Sequence, residues 1–148
     1  AAFDARAALN YVAAREMVEA GVLAATDVTG FGLLGHLRSM ARASGAAAVV
    51  EADAVPILPG ARALAEAGHV PGGSARNLAD LAESTVFGDA VEAVTRTLLT
   101  DAQTSGGMLI CVPPERLDRL LERLDGRTPA LAVVGEIVEG PPGSIRVG

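Results

Sequence analysis

The sequence contains no lysine and no tryptophan, and aromatic residues make up only 3% of it. All 12 basic residues are arginine, so chemistry that needs a lysine nucleophile or a phosphate-binding lysine cannot come from this chain. Because aromatic side chains are so few, the core must be built from Ala, Val, Leu and Ile. The net charge of −6 leaves no basic excess to displace counterions, so we predict no nucleic-acid partner.

Cysteine and long apolar runs are scarce as well. The single Cys111 cannot form an internal disulfide, and no apolar run reaches the roughly 20 residues of a membrane helix. No charged-then-apolar leader is visible, so we expect a cytoplasmic protein without a membrane partner. The length of 148 residues and the hydrophobic fraction of 50% suit one folded domain over 1–148. The chain begins within a predicted helix, which suggests a piece of a longer protein.

Hydrophobic periodicity and chain breakers predict helices and strands in mixed order. The predicted helices cover 4–20, 33–45, 61–67, 89–99 and 113–126. The predicted strands cover 22–28, 48–50, 108–112, 131–134, 137–138 and 145–147. The run at 108–112 is continuously apolar and is expected to be buried on both faces. Residues 69–77 are expected to form an exposed loop. The pattern predicts an α/β fold of the α+β type, with a mixed β-sheet flanked by helices.

Residues 26–36 read TDVTGFGLLGH and place Asp27 where an extended segment turns into a helix. Gly30 and Gly32 let the backbone come close to a ligand, and the N-terminus of a helix favours anions. Because Mg²⁺ bridges carboxylates to substrate phosphates, an anion site beside Asp27 indicates a phosphate held together with Mg²⁺. The alternative is that Asp27 and a threonine only cap the helix.

A second glycine motif, DAQTSGG at 101–107, stands directly before the predicted strand at 108–112. Its polar side chains and paired glycines can hold phosphate oxygens, but they also suit a tight turn into a strand. The loop at 69–77 adds Arg76, a possible bidentate phosphate donor, and Asn77, which can equally cap a following helix. Loops that cluster at one end of a sheet are where sites usually lie.

The remaining candidates are given structural roles. His36 lies one turn into a predicted helix and is expected to pack or cap rather than bind a ligand. His69 has no second His or Cys at metal spacing, so no zinc site is expected. Cys111 lies inside an apolar strand and is expected to be a buried small hydrophobe. The carboxylates of 115–125 are expected to form a solvated helix face.

Taken in order, these motifs resemble the C-terminal domain of selenophosphate synthetase, also called selenide, water dikinase. The family signature TDVTGFGLLGH stands unchanged at 26–36, and PILPGARALAEAG, GGSARN and QTSGG follow at 56–68, 72–77 and 103–107. One departure is Ala102, where the family usually has proline; the change should loosen the turn slightly. Aminoimidazole ribonucleotide synthetase, the hydrogenase maturation dehydratase and thiamine monophosphate kinase share the two-domain plan without the full TGFGLLGH string.

The resemblance implies that ATP, selenide and water give selenophosphate, AMP and phosphate, with Mg²⁺ as cofactor. It implies a two-domain subunit that dimerises through its N-terminal domain, which carries the catalytic Cys or selenocysteine and the Lys. The chain at 1–148 would then complete the ATP site, hold no catalytic residue and be inactive alone. Asp27 would be the metal ligand. The residues expected to bind ATP or its phosphates are Thr29, Gly30, Gly32, Gln103, Thr104, Ser105 and Gly106. The alternatives are another ATP-dependent enzyme of the same superfamily and a non-catalytic interaction module.

Overall fold

Helices and strands are interspersed along the chain in the computed structural model, which describes residues 10–22 and 24–148. The α-helices are α1 (Tyr11–Glu19), α2 (Gly32–Ala43), α3 (Ala61–Glu66), α4 (Gly72–Asp80), α5 (Ala93–Leu99) and α6 (Pro114–Leu124). The strands are β1 (Ala24–Asp27), β2 (Ala47–Val50), β3 (Thr85–Phe87), β4 (Met108–Cys111), β5 (Gly135–Val138) and β6 (Ile145–Val147). A short 3₁₀ turn covers Ala52–Ala54. No helix within these ranges is both long and apolar enough to cross a membrane.

The larger sheet has four strands in the order β3-β6-β2-β5. Strand β6 runs parallel to both β3 and β2, whereas β5 runs antiparallel to β2. The sheet is therefore mixed and packs with helices, which confirms the predicted fold class. Its core is aliphatic, as the scarcity of aromatic residues predicts. The buried apolar residues of this core are Leu34, Leu37, Ala48, Val50, Ala52, Leu81, Val91, Leu99, Ile145 and Val147.

The smaller sheet joins β1 and β4 in antiparallel pairing, with Asp27 opposite Met108 and Ala24 opposite Cys111. Helices α1 and α6 pack beside it around a second apolar core. The buried members of that core are Ala13, Ala20, Val22, Leu120 and Leu124. The pairing matters for function because it brings the end of β1, in the first glycine motif, next to the start of β4.

Most predicted elements are present, but three predictions about them are wrong. Segment 69–77 is not a loop, since α4 begins at Gly72. Strand β4 is half-buried along its length rather than buried on both faces, because it belongs to a sheet of only two strands. No strand covers 131–134; β5 begins at Gly135, although the Glu51 N–H donates to the Val134 carbonyl at 2.9 Å.

Element boundaries also differ from those predicted. Helix α5 begins at Ala93 instead of residue 89. Strand β3 was not predicted, because three residues give too short an alternation to recognise. The predicted helix at 4–20 is present as α1 from Tyr11, and its part before residue 10 lies outside the described residues.

Candidate functional site

The two glycine motifs lie side by side and are joined through their backbones. The Val28 N–H donates to the Gly107 carbonyl at 2.9 Å, and the Gly106 N–H donates to the Val28 carbonyl at 2.9 Å. The Gln103 N–H donates to the Thr29 carbonyl at 3.1 Å. These bonds continue the β1–β4 pairing into the loops beyond it. The two motifs therefore form one structural unit, as expected for loops that share a site.

Two glycines of this unit serve the close approach of chain segments. Gly32 has φ +68°, and a Cβ there would lie 2.6 Å from the Thr100 carbonyl carbon. At Gly106 a Cβ would lie 2.5 Å from the Val28 carbonyl oxygen. Gly30 differs, because nothing lies within 4 Å of the position of its Cβ. Gly30 is thus the glycine of the first motif that faces open space, whereas Gly32 is buried.

A cleft of about 430 Å³ opens at this unit, between the loops and helix α1. Five of the predicted site residues line it. These are Asp27, Thr29, Thr104, Ser105 and Gly106. The other lining residues were not predicted as site residues, and they are Asn10, Tyr11 and Ala14 at α1 and Met108 of β4. Asn10, which directly precedes α1, lies 17 residues before Asp27 in the sequence, so no local pattern could have linked the two.

Asp27 is the last residue of β1, and its side chain is exposed at the cleft. Its Oδ1 accepts a hydrogen bond from Asn10 Nδ2 at 2.5 Å. The capping alternative is wrong, because the N-cap of α2 is Phe31 and neither Asp27 nor Thr29 makes a side-chain cap bond there. A carboxylate without a capping role is thus available to a ligand in the cleft.

Thr29 and His36 fix the turn that follows Asp27. The Thr29 N–H donates to His36 Nε2 at 3.1 Å, and the Thr29 hydroxyl lies 3.1 Å from the same nitrogen. An N–H can only donate, so Nε2 is the acceptor of the bond from the Thr29 backbone. The ring also lies against Phe31, with centroids 5.7 Å apart. His36 thus packs against its neighbours, as predicted, and that it binds no ligand stays a prediction.

A second layer of polar side chains supports the loop at 101–107 from α4. Ser74 Oγ donates to Asp101 Oδ1 at 2.6 Å and accepts from the Ala102 N–H at 3.1 Å. Gln103 Nε2 donates to Asp101 Oδ2 at 2.6 Å. The Ala102 N–H is a donor that a proline at this position would lack. Gln103 therefore shapes the loop and does not line the cleft.

Asn77 links the same helix to both motifs. Its Nδ2 donates to the Gly30 carbonyl at 2.9 Å and to the Thr100 carbonyl at 3.0 Å. Asn77 lies inside α4 and not at a helix end, so it does not act as a cap. Arg76 is exposed on the same helix and does not line the cleft. The GGSARN motif thus supports the two glycine loops from outside the cleft.

The cleft offers oxygen ligands and a single carboxylate. Over residues 10–22 and 24–148, no cluster of three or more His, Cys, Asp or Glu side chains can hold a metal ion. This donor set suits a hard cation that keeps several waters and takes further ligands from a substrate phosphate, as Mg²⁺ does.

Cys111 is half-buried, less than predicted, and burial raises the pKa of its thiol. A raised pKa favours the thiol over the thiolate, which is the reactive form.

A second cavity of about 300 Å³ lies elsewhere, between the 3₁₀ turn, α3 and α5. Its arginine, Arg62, is already bonded to Glu92 at 3.0 Å and to Thr95 at 2.9 Å. None of the predicted site residues line this cavity. Because the second cavity holds none of these residues, the cleft at the glycine motifs is the better candidate site.

Comparison with known proteins gives consistent matches. A protein named selenide, water dikinase from Dechloromonas aromatica is 45% identical over 124 residues, which cover 83% of this chain and 36% of that protein. A protein of the same name from Nitratidesulfovibrio vulgaris is 41% identical over 139 residues, covering 94% of this chain and 40% of that protein. The chain thus spans well under half the length of these relatives. The matches confirm the resemblance drawn from the motifs.

The fold also occurs in a solved structure, the hydrogenase maturation protein HypE in complex with ATP. The two share a TM-score of 0.57 and 21% identity over 95% of this chain and 36% of that one. At this level of identity the likeness concerns the fold alone. Residues 3–148 match the family described as AIR synthase related protein, C-terminal domain. The match covers nearly the whole sequence, and the chain therefore belongs to that family of C-terminal domains.

Proposed function

We propose that this chain is the C-terminal domain of a selenophosphate synthetase and forms one wall of its Mg–ATP site. The observation that carries the proposal is the exposed carboxylate of Asp27, which faces the cleft and caps no helix. The similarity to proteins named selenide, water dikinase supports the choice of substrates. Since the chain spans only 36% to 40% of those two proteins, the activity belongs to a longer chain.

In this proposal Asp27 is a ligand of Mg²⁺, and the loops beside it hold ATP or its phosphates. Thr29, Thr104, Ser105 and Gly106 line the cleft. Thr104 and Ser105 can donate hydroxyl or backbone hydrogen bonds, whereas the N–H groups of Gly106 and Thr29 are already bonded to the Val28 carbonyl and to His36. Gly30 offers open backbone. Gly32 and Gln103 contribute by shaping the loops, since neither lines the cleft. Mg²⁺, when bound, would neutralise phosphate charge, which together with positioning accounts for most of the catalysis of phosphoryl transfer.

The proposed reaction converts ATP, selenide and water into selenophosphate, AMP and phosphate in the cytoplasm. The catalytic Cys or selenocysteine and the Lys would come from an N-terminal domain, through which the full protein would dimerise. Two exposed aromatic side chains support a covering domain. Tyr11, which lines the cleft, is 67% exposed, and Phe31, two residues after Thr29 in sequence, is 65% exposed. The absence of lysine from this chain is consistent with that division of the site.

Substitution of Asp27 by Asn in the two-domain protein tests the proposal. Asn keeps the shape of the side chain and can still accept from Asn10, so the melting temperature should change little. The loss of the charge should lower selenide-dependent ATP turnover about 10- to 100-fold at limiting Mg²⁺, since each 1.36 kcal/mol is tenfold in rate. Both quantities are measured on the same preparation.

Asp118→Asn is the matched control, because Asp118 is exposed on α6 and does not line the cleft. It should change neither quantity. Normal turnover in Asp27→Asn would refute the metal role of Asp27. ATP turnover that is unaffected by omitting selenide would instead favour another ATP-dependent enzyme of the superfamily. No ATP turnover in the two-domain protein would leave an interaction module.

A further inference from the structure

Asn10 makes contacts that neither the motifs nor the proposed function explain. It directly precedes α1, where a polar residue usually caps the helix, yet its side chain makes no cap bond. Its Nδ2 donates instead to Asp27 Oδ1 at 2.5 Å and lies 3.3 Å from the Gly106 carbonyl oxygen. One amide thus connects a helix on one side of the cleft to both glycine motifs on the other.

The orientation of this amide follows from its partners. A carboxylate and a backbone carbonyl can only accept hydrogen bonds, so the nitrogen of Asn10, and not its oxygen, must face them. Its two hydrogens match the two acceptors. The contact with Asp27 is between a neutral donor and an ionised acceptor, which makes it shorter and stronger than a neutral pair.

The bond leaves the two carboxylate oxygens of Asp27 in different states. Oδ1 accepts from Asn10, while Oδ2 accepts no hydrogen bond from the described part of the chain. A carboxylate held by one oxygen loses rotational freedom about χ2, and its other oxygen is presented in a fixed direction. Groups of this kind, which orient a ligand through its second atom, change metal affinity about 10- to 100-fold when removed.

Helix α1 is itself held firmly, so Asn10 has a defined place. Glu16 of α1 is fully buried and accepts from Arg123 Nε at 2.6 Å and from Arg127 Nη1 at 2.9 Å. Arg123 lies in α6, and Arg127 lies in the turn that follows it. The end of α1 therefore approaches Asp27 as part of a fixed helix pair and not as a loose terminus.

We propose that Asn10 is a positioning residue, which orients the Asp27 carboxylate so that one oxygen is directed to the cation of the nucleotide. The inference rests on the proposed function, because it assumes that Asp27 binds Mg²⁺. It adds a residue of α1 to a site that the sequence motifs place only on the two glycine loops. Asn10 acts through Asp27 and need not touch the substrate.

The test uses the two-domain protein with Asn10→Ala, and Val12→Ala as the matched control. Val12 lies on the same helix and packs on the second core, so its truncation loosens α1 without removing the amide. Two quantities are measured in addition to the melting temperature. The first is the Mg²⁺ concentration that gives half-maximal ATP turnover, with the maximal rate at saturating Mg²⁺. The second is the dissociation constant of Mn²⁺ in the presence of a non-hydrolysable ATP analogue, followed by electron paramagnetic resonance.

Asn10→Ala should raise the half-maximal Mg²⁺ concentration and the Mn²⁺ dissociation constant about tenfold each, because a disordered ligand weakens binding of the cation. The maximal rate should stay within twofold of wild type. Val12→Ala should lower the melting temperature and leave both concentrations unchanged. Unchanged values in Asn10→Ala, or an equal rise in Val12→Ala, overturn the proposal.

Asp27→Asn in the same assay separates the two proposals. If it has no effect, the metal role of Asp27 fails; if it has an effect and Asn10→Ala has none, only the positioning role fails.

Discussion

Gly106 lies where the two glycine-rich loops meet, and its missing side chain permits that contact. A Cβ there would lie 2.5 Å from the Val28 carbonyl oxygen and 3.2 Å from the Val28 Cβ. The atom that obstructs it is backbone, which cannot rotate away as a side chain can. The same carbonyl accepts the Gly106 N–H at 2.9 Å, so a shift of either loop also strains a hydrogen bond.

Gly106→Ala should therefore destabilise the chain by about 1–3 kcal/mol, the usual cost of forcing extra volume into a packed contact. Urea unfolding followed by far-ultraviolet circular dichroism measures the change. Gly107→Ala is the matched control, since nothing lies within 4 Å of a Cβ at Gly107. Its stability should stay within about 1 kcal/mol of wild type. Equal effects of the two substitutions would contradict the steric argument.

At the scale of elements, the pair α1 and α6 is joined by a buried carboxylate among arginines. Hydrogen bonds from Arg15, Arg123 and Arg127 together lower the pKa of the Glu16 carboxyl from 4.5 to about 2, and the bond from Arg15 contributes most. Burial of the carboxyl opposes this shift. Removing one partner of a buried ion pair leaves the others uncompensated, which is strongly destabilising.

The shifted pKa has a consequence for stability that depends on pH. Because the carboxyl of Glu16 has a lower pKa in the folded state, the unfolded state binds its proton first as the pH falls. The stabilisation is complete above about pH 4.5 and is lost between there and about pH 2. Glu16→Gln should be less stable than wild type at pH 7, and the difference should shrink across that window.

Urea midpoints of both proteins between pH 7 and pH 2 provide the measurement, since a midpoint reports stability while the slope stays constant. Glu122→Gln is the control, because Glu122 is an exposed residue of α6. It should track wild type at every pH. A constant difference between Glu16→Gln and wild type across the window would show that the carboxyl of Glu16 has no shifted pKa.

At the scale of the whole molecule, two aliphatic cores support the chain, one on the four-stranded sheet and one on the two-stranded sheet. The chain alone should therefore unfold cooperatively in a thermal scan. It should form no selenophosphate from ATP and selenide, because it lacks lysine and supplies one wall of the proposed site. A broad melt with dye-binding apolar surface would contradict the first expectation. Product formation by the isolated chain would contradict the second.

Local patterns in the sequence determined the fold class, most helices and strands, and an aliphatic core. Helix α6 is a clear case, because its proline start and leucine spacing need no tertiary information. The motif at 26–36 likewise marked Asp27 and Thr29, which lie together at the cleft. These features depend on residues that are close together in the sequence, so the sequence alone is enough to predict them.

Tertiary structure decided the rest. The predicted loop at 69–77 contains the two glycines that form the first turn of α4. Bonds from Ser74 and Asn77 to the loops at 30 and 100–102 stabilise 72–80 as a helix. The bond from Asn10 to Asp27 and the group around Glu16 join residues far apart in the chain. Such contacts arise only when helices and sheets pack, because each depends on a partner that no local pattern specifies.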